Sequence, residues 1–253
     1  HPGLGTLAVA AALLAAPVSV RAQEAFSPAQ RQAIEGIIKD YLVKNPEVLQ
    51  EAIGELEKRQ AESQRQAQAA ALSEVEGVLK SSPYGNVVGN PAGDVTLVEF
   101  FDYNCGYCKR SLGDIRALVK ADPKLKVVLR DLPVLGPDSV EASKVAVAAK
   151  QQLSGDKLFE YHARLLESRG RVGAERAMSL AKEMGLDTAR LQRDLAGSEV
   201  AAAINENGRL SEKLGLTGTP AFVVGDEVIA GAVGLEPLRT AIAMTRKCGK
   251  AAC

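Results

Sequence analysis

The sequence predicts an α/β fold with a helical insertion, preceded by an N-terminal helical module. Three observations predict it. An apolar run over residues 95–101, with Glu99 inside it, ends in a short polar turn, two cysteines two residues apart and then a helical pattern. Near the other end, Thr219-Pro220 precedes two short apolar runs around Gly225-Asp226, the signal of a terminal hairpin. Between these units, residues 138–216 read as helical throughout, by apolar spacing of three and four.

The segment Phe100-Phe101-Asp102-Tyr103-Asn104-Cys105-Gly106-Tyr107-Cys108 sets the chemistry. A strand that feeds a helix through Cys-x-x-Cys is the thioredoxin-like redox arrangement. At the first turn of a helix, Cys105 sits beside unpaired N–H groups and the positive end of the helix dipole, which favour a thiolate. A thiolate attacks a disulfide to form a mixed disulfide. Cys108, on the same helix face, is placed to resolve it. A structural disulfide and half of a zinc site are the competing readings, but zinc needs four ligands. Cys248 and Cys253, at the far end, match a zinc pair poorly. Asp102 and Asn104 are expected on the turn, with a role no larger than shaping local polarity.

In chain order, residues 3–20 are apolar and rich in Ala and Leu, with no charge before Arg21. Residues 1–22 are expected to be a secretory signal, cut near Ala22. A membrane anchor is the alternative, at a borderline length for a span and with Gly and Pro interruptions. Residues 23–80 read as a helical module with a linker. Ser27-Pro28 is an N-cap followed by Pro at the first helical position. Ile34, Ile37, Ile38, Tyr41 and Leu42 fall on one face, Asn45-Pro46 breaks the helix, and Val48, Leu49, Ile53 and Leu56 extend an apolar stripe. Residues 58–71, rich in Gln, Ala and charge, are either a solvated helix or a linker that partly melts. Leu72, Val75, Val78 and Leu79 resume a helix able to dock on the next domain, residues 81–253.

Two short amphipathic helices cannot bury their apolar faces alone. Self-association through residues 27–60 is the favoured reading, over an intramolecular cap. Val87-Val88 suggests a short edge strand, residues 126–131 a further strand, and Gly185 and Asp187 a helix stop and a helix cap. His162, without a paired ligand, is expected on a helix surface or in packing. A helix over residues 236–247 closes the domain.

Residues 83–247 resemble the DsbA-like branch of the thioredoxin superfamily, through Glu99 to Cys108, the helical insertion, and Thr219-Pro220 before the hairpin. The resemblance implies that Pro220 is cis and lies against the cysteine pair, with the Thr219 backbone open to a substrate strand. It also implies that Glu99 is buried beneath the site and relays protons to Cys108. Ser27-Pro28-Ala29-Gln30 and Asn45-Pro46-Glu47-Val48-Leu49 ahead of such a domain look like those of exported proteins related to the suppressor of copper sensitivity protein C, some of which oligomerise through their N-terminal helices and act as disulfide isomerases. Gly106-Tyr107 is the dipeptide of the bacterial isomerase DsbC. The implied partners are cysteine-containing protein substrates and a membrane redox partner, in the periplasm. No cofactor and no metal are implied.

Cys248 and Cys253 are expected to close a small terminal loop. Free thiols, an intermolecular bridge and a copper(I) pair are the alternatives. The 31 basic and 31 acidic side chains balance, which argues against nucleic acid as partner. The function expected is thus an exported oxidoreductase, an oligomeric isomerase or reductase. The competing readings are a monomeric oxidase, a copper(I) carrier or chaperone, and, more weakly, a glutathione-transferase-like enzyme.

Overall fold

The computed structural model describes residues 26–81 and 83–253, so the expected signal at residues 1–22 lies outside the described residues. The chain divides into two compact units, His1–Arg59 and Gln60–Cys253.

In the first unit, α1 spans Pro28–Lys44. Ser27 caps it, and Gln30 returns a bond to the Ser27 amide, so the two form a full capping box. Asn45 ends the helix, and α2 begins at Glu47. Ile37, Ile38, Tyr41, Leu49, Ile53 and Leu56 are all exposed.

Helix α2 continues without interruption to Ser81, so residues 58–71 are helix. Its residues from 60 onward belong to the second unit. There Leu72, Val75 and Leu79, spaced three and four apart, are buried against Val98, Phe100, Val128 and Val223.

The second unit is built on a five-stranded sheet. Its strands are β1 (Asn86–Gly89), β2 (Val95–Phe101), β3 (Leu125–Asp131), β4 (Ala221–Val224) and β5 (Glu227–Ala230), in the order β1-β3-β2-β4-β5. Only β2 and β3 pair in parallel, and α3 (Gly106–Ala121) makes the crossover between them. The central strand β2 is covered on both faces, which is why it reads as an almost unbroken apolar run. Val98 and Phe100 face the α2 side. Leu97 and Phe101 face the other core, with Leu112 and Ile115 of α3. Glu99 lies between Leu97 and Phe101 on the same face of β2, so it points into that second core.

The insertion consists of α4 (Pro137–Ala149), α5 (Gly155–Leu166), α6 (Ala174–Glu183), α7 (Thr188–Leu195) and α8 (Ser198–Lys213). Asp187 caps α7 by accepting from the Arg190 amide. His162 of α5 is buried, which settles the two expectations in favour of packing. Its ring meets Phe101 edge-on at 4.5 Å, and burial lowers its pKa to about 3.

Helix α9 (Leu235–Cys248) ends at Gly249, in the left-handed conformation. Cys248 and Cys253 are joined in a disulfide. The loop it closes is docked on the hairpin turn, where the Ala251 amide donates to Asp226 Oδ1 at 3.0 Å. Gly225 makes this approach possible, because a Cβ there would lie 2.7 Å from Thr245 Oγ1 and 3.0 Å from the Ala251 nitrogen. Replacing both cysteines by serine is expected to cost about 2 kcal/mol, the chain-entropy value for so short a loop. Thermal unfolding under non-reducing conditions checks this; an unchanged midpoint would show that the loop holds without its bridge.

Candidate active site

The end of β2 and the start of α3 bring the two cysteines to the edge of the sheet. Cys105 is the N-cap of α3, and Cys108 lies one turn on, with no exposed surface. Both are free thiols. Cys105 Sγ lies 3.1 Å from the Thr219 carbonyl, to which its S–H donates. The Thr219-Pro220 peptide bond is cis. The β2–β4 pairing places this loop beside the cysteines, since Phe100 is opposite Ala221. The site residues expected from the sequence are therefore brought together from positions more than a hundred residues apart. Gly106 opens α3, and Tyr107 stands exposed, its ring 4.3 Å from the Arg110 guanidinium.

Glu99 is buried, and its Oε1 has no hydrogen-bond partner. Burial raises its pKa to about 8, with added repulsion from Cys105 and Asp114. The Cys108 thiol is also pushed up, first by burial and further by Glu99 and Cys105. Glu99 and Cys108 are thus both buried and repel each other's charge, so both favour their neutral forms.

Sequence reasoning gave Asp102 and Asn104 too little weight. Asp102 is fully buried, and its carboxylate accepts from the amides of Asn104, Val134 and Leu135 and from Ser139 Oγ, at 2.8–3.0 Å. Asn104 bonds Ser139 and both backbone groups of Val172. Apart from the local Asn104 amide, their partners lie 32 to 68 residues away in sequence, so no local pattern reveals them. Among the described residues, no group of three or more His, Cys, Asp or Glu side chains is placed to hold a metal ion.

Residues 96–243, more than half of the chain, match the DSBA-like thioredoxin domain. The chain belongs to this family. Residues 30–63 match the N-terminal domain of the copper resistance protein ScsC, which makes this a DsbA/ScsC-family chain with an N-terminal helical module. A thioredoxin-like oxidoreductase from Silicibacter pomeroyi DSS-3 is 42% identical, with a TM-score of 0.65 over 68% of this chain and 98% of that one. ScsC of Proteus mirabilis in a transitional conformation is 28% identical, with a TM-score of 0.63 over 88% of this chain and 99% of that one.

A curated relative, the Na(+)/H(+) antiporter NhaA 1 of Salinispora arenicola, is 28% identical over 159 residues, 62% of this chain. The chain spans 24% of that relative's length. No helix among the described residues is long and apolar enough to cross a membrane. The fold and the close cysteine pair are consistent with a thiol–disulfide oxidoreductase active site, as in DsbA-family enzymes.

Proposed function

We propose that the protein is an exported thiol–disulfide oxidoreductase that works as an oligomeric isomerase or reductase on cysteine-containing proteins. The observation that carries the chemistry is Cys105 at the N-terminus of α3, bonded to the Thr219 carbonyl, with Cys108 and Glu99 buried behind it. The Cys105 thiolate attacks a client disulfide. The client S–S bond breaks, a Cys105–client disulfide forms, and the second client sulfur leaves as a thiolate.

Two exits follow. A client thiolate attacks the mixed disulfide and frees Cys105, so that the client is rearranged with no net electron transfer. Alternatively, Cys108 attacks Cys105 Sγ, the client departs reduced, and the Cys105–Cys108 pair is left oxidised. Cys108 must lose its proton to attack, and Glu99, a buried carboxyl whose charge acts on Cys108, is the acceptor assigned to it. A carboxyl with a pKa of about 8 takes and returns a proton near neutral pH. Thr219 and Pro220, with Gly106 and Tyr107, form the surface along which the client strand lies. Thr219 offers backbone groups for a strand-like contact.

The isomerase reading rests on the first unit. Its exposed stripe of Ile37, Ile38, Tyr41, Leu49, Ile53 and Leu56 is the kind of surface that copies of the chain bury against each other. The match of residues 30–63 to the ScsC N-terminal domain supports the same reading. A periplasmic thioredoxin-like protein of Salmonella enterica, 26% identical, supports export. Several sites held together act on one client at high effective concentration.

The test is refolding of a scrambled multi-disulfide protein by residues 23–253, by a chain lacking residues 23–59, and by an Ile37→Ser, Ile53→Ser, Leu56→Ser variant. The cut falls before residue 60 because Leu72, Val75 and Leu79 belong to the sheet's core. Rescue is expected to fall about 100-fold in both altered proteins, while reduction of a small disulfide persists. Equal rescue by all three would leave a DsbA-like oxidase or reductase acting as a single unit.

A further inference from the structure

We propose that Asp102 is a positioning residue for disulfide exchange, fixing Cys105 by locking the active-site turn to the head of the helical insertion. This rests on the reading that Cys105 and Cys108 are the exchanging pair. The Asp102 backbone bonds the Cys108 thiol, and the carboxylate acts on Cys105 through the backbone of the turn. The carbonyl of Asp102 accepts the Cys105 amide at 3.0 Å, and Oδ1 accepts the Asn104 amide at 2.8 Å. One residue thereby holds the two backbone positions that lead into α3.

The other end of the lock is the insertion. Oδ1 also accepts from Ser139 Oγ at 2.8 Å, and Oδ2 accepts from the Val134 and Leu135 amides at 2.9 and 3.0 Å. An ionised carboxylate offers about four acceptor sites and no donor, and here four donors converge on it in a site closed to water. Asparagine has the same shape but would turn an NH2 group towards donors, leaving at least one buried N–H unpaired. Asn104 ties the same turn to Ser139 and Val172, and Lys109 reaches the Ser168 carbonyl at 3.0 Å. On its other side, the turn meets the cis-proline loop through Cys105 Sγ and the Thr219 carbonyl. Freed from Asp102, Cys105 would shift relative to the N-terminal end of α3, and its thiolate would lose part of the favourable field of the helix dipole.

The experiment is the redox equilibrium of residues 23–253 with glutathione, read by thiol trapping, for wild type, Asp102→Asn and Ser139→Ala. Asp102→Asn is expected to shift the equilibrium about tenfold towards the Cys105–Cys108 disulfide, or about 30 mV for this two-electron couple. Ser139→Ala, which removes one donor of four, is expected to move it the same way by about twofold.

A lower melting temperature with an unchanged equilibrium would make Asp102 a structural residue only and overturn the proposal. A shift towards the dithiol would overturn it too, because loss of a nearby negative charge would then be the dominant effect. If Asp102→Asn does not fold, Ser139→Ala decides, and an unmoved equilibrium there overturns the proposal. Failure of the wild type itself to exchange with glutathione would instead overturn the exchange reading, and this inference with it.

Discussion

Replacing Glu99 with glutamine is expected to make the reduced protein progressively more stable than wild type as pH rises, while slowing the step in which Cys108 reacts. The carboxyl titrates at 4.5 in an unfolded chain and at about 8 in the folded protein, because burial disfavours its charge. Between those values the folded state keeps a proton that the unfolded state has released. Stability therefore falls as pH rises through this window, by about 1.4 kcal/mol per pH unit. The penalty is absent below pH 4.5 and complete above pH 8. Glutamine does not titrate, so the difference between variant and wild type should grow by about 4 kcal/mol from pH 4.5 to pH 8. Urea unfolding at pH 4.5, 6 and 8 measures it. Parallel stability curves would mean that the carboxyl is hydrated in the folded protein.

Activity should move in the opposite direction. Without a carboxyl to accept the Cys108 proton, release of client from the mixed disulfide should slow about 100-fold, a usual share for general acid–base catalysis. Formation of the mixed disulfide at Cys105 should be unchanged, so the intermediate should accumulate. A variant both more stable and slower would place Glu99 among the costs that the fold bears for its chemistry.

Glu99 was legible in the sequence because the run around it is apolar on both alternations, which is the pattern of a strand covered on both faces. The hairpin, α3 and the helix caps were legible for the same local reasons, in residues such as Gly225, Asp187 and Ser27. Residues 58–71 were left between helix and linker, because nothing large and apolar lies there. The structure resolves them as helix, with Gln68 bonded to the Leu214 carbonyl. What could not be read were side chains whose meaning depends on distant partners. Asp102 resembles any turn aspartate until Val134, Leu135 and Ser139 are brought to it. Arg130 resembles the solvent-facing charge of an edge strand, yet it is fully buried in β3.

Arg130 carries the other large expected effect. It lies on the same face of β3 as Val128, beneath the end of α2, where the last carbonyls of a helix lack partners. Its guanidinium donates to the Val78 and Leu79 carbonyls, to Glu206 at 2.8 Å and to Asn207 Oδ1 at 2.9 Å. Lys126, also on β3, reaches the Lys80 carbonyl at 2.6 Å. Two cations thus close the C-terminal end of α2, where the helix dipole favours positive charge.

Arg130→Ala leaves Lys126 as the remaining closure and strands a carboxylate, an amide oxygen and two carbonyls. Breaking a buried pair from one side costs about 3–5 kcal/mol. Most of that cost should be the unpaired groups rather than the lost attraction. Adding Glu206→Leu to Arg130→Met should therefore recover part of the stability, giving a positive coupling in a double-mutant cycle. Denaturant midpoints measure the totals, and amide exchange over residues 72–81 locates the damage. A loss below about 1 kcal/mol, with exchange over those residues unchanged, would mean that α2 is held by Leu72, Val75 and Leu79 alone. A loss near the upper figure would make one buried arginine the anchor by which the C-terminal end of α2 is fastened to the sheet.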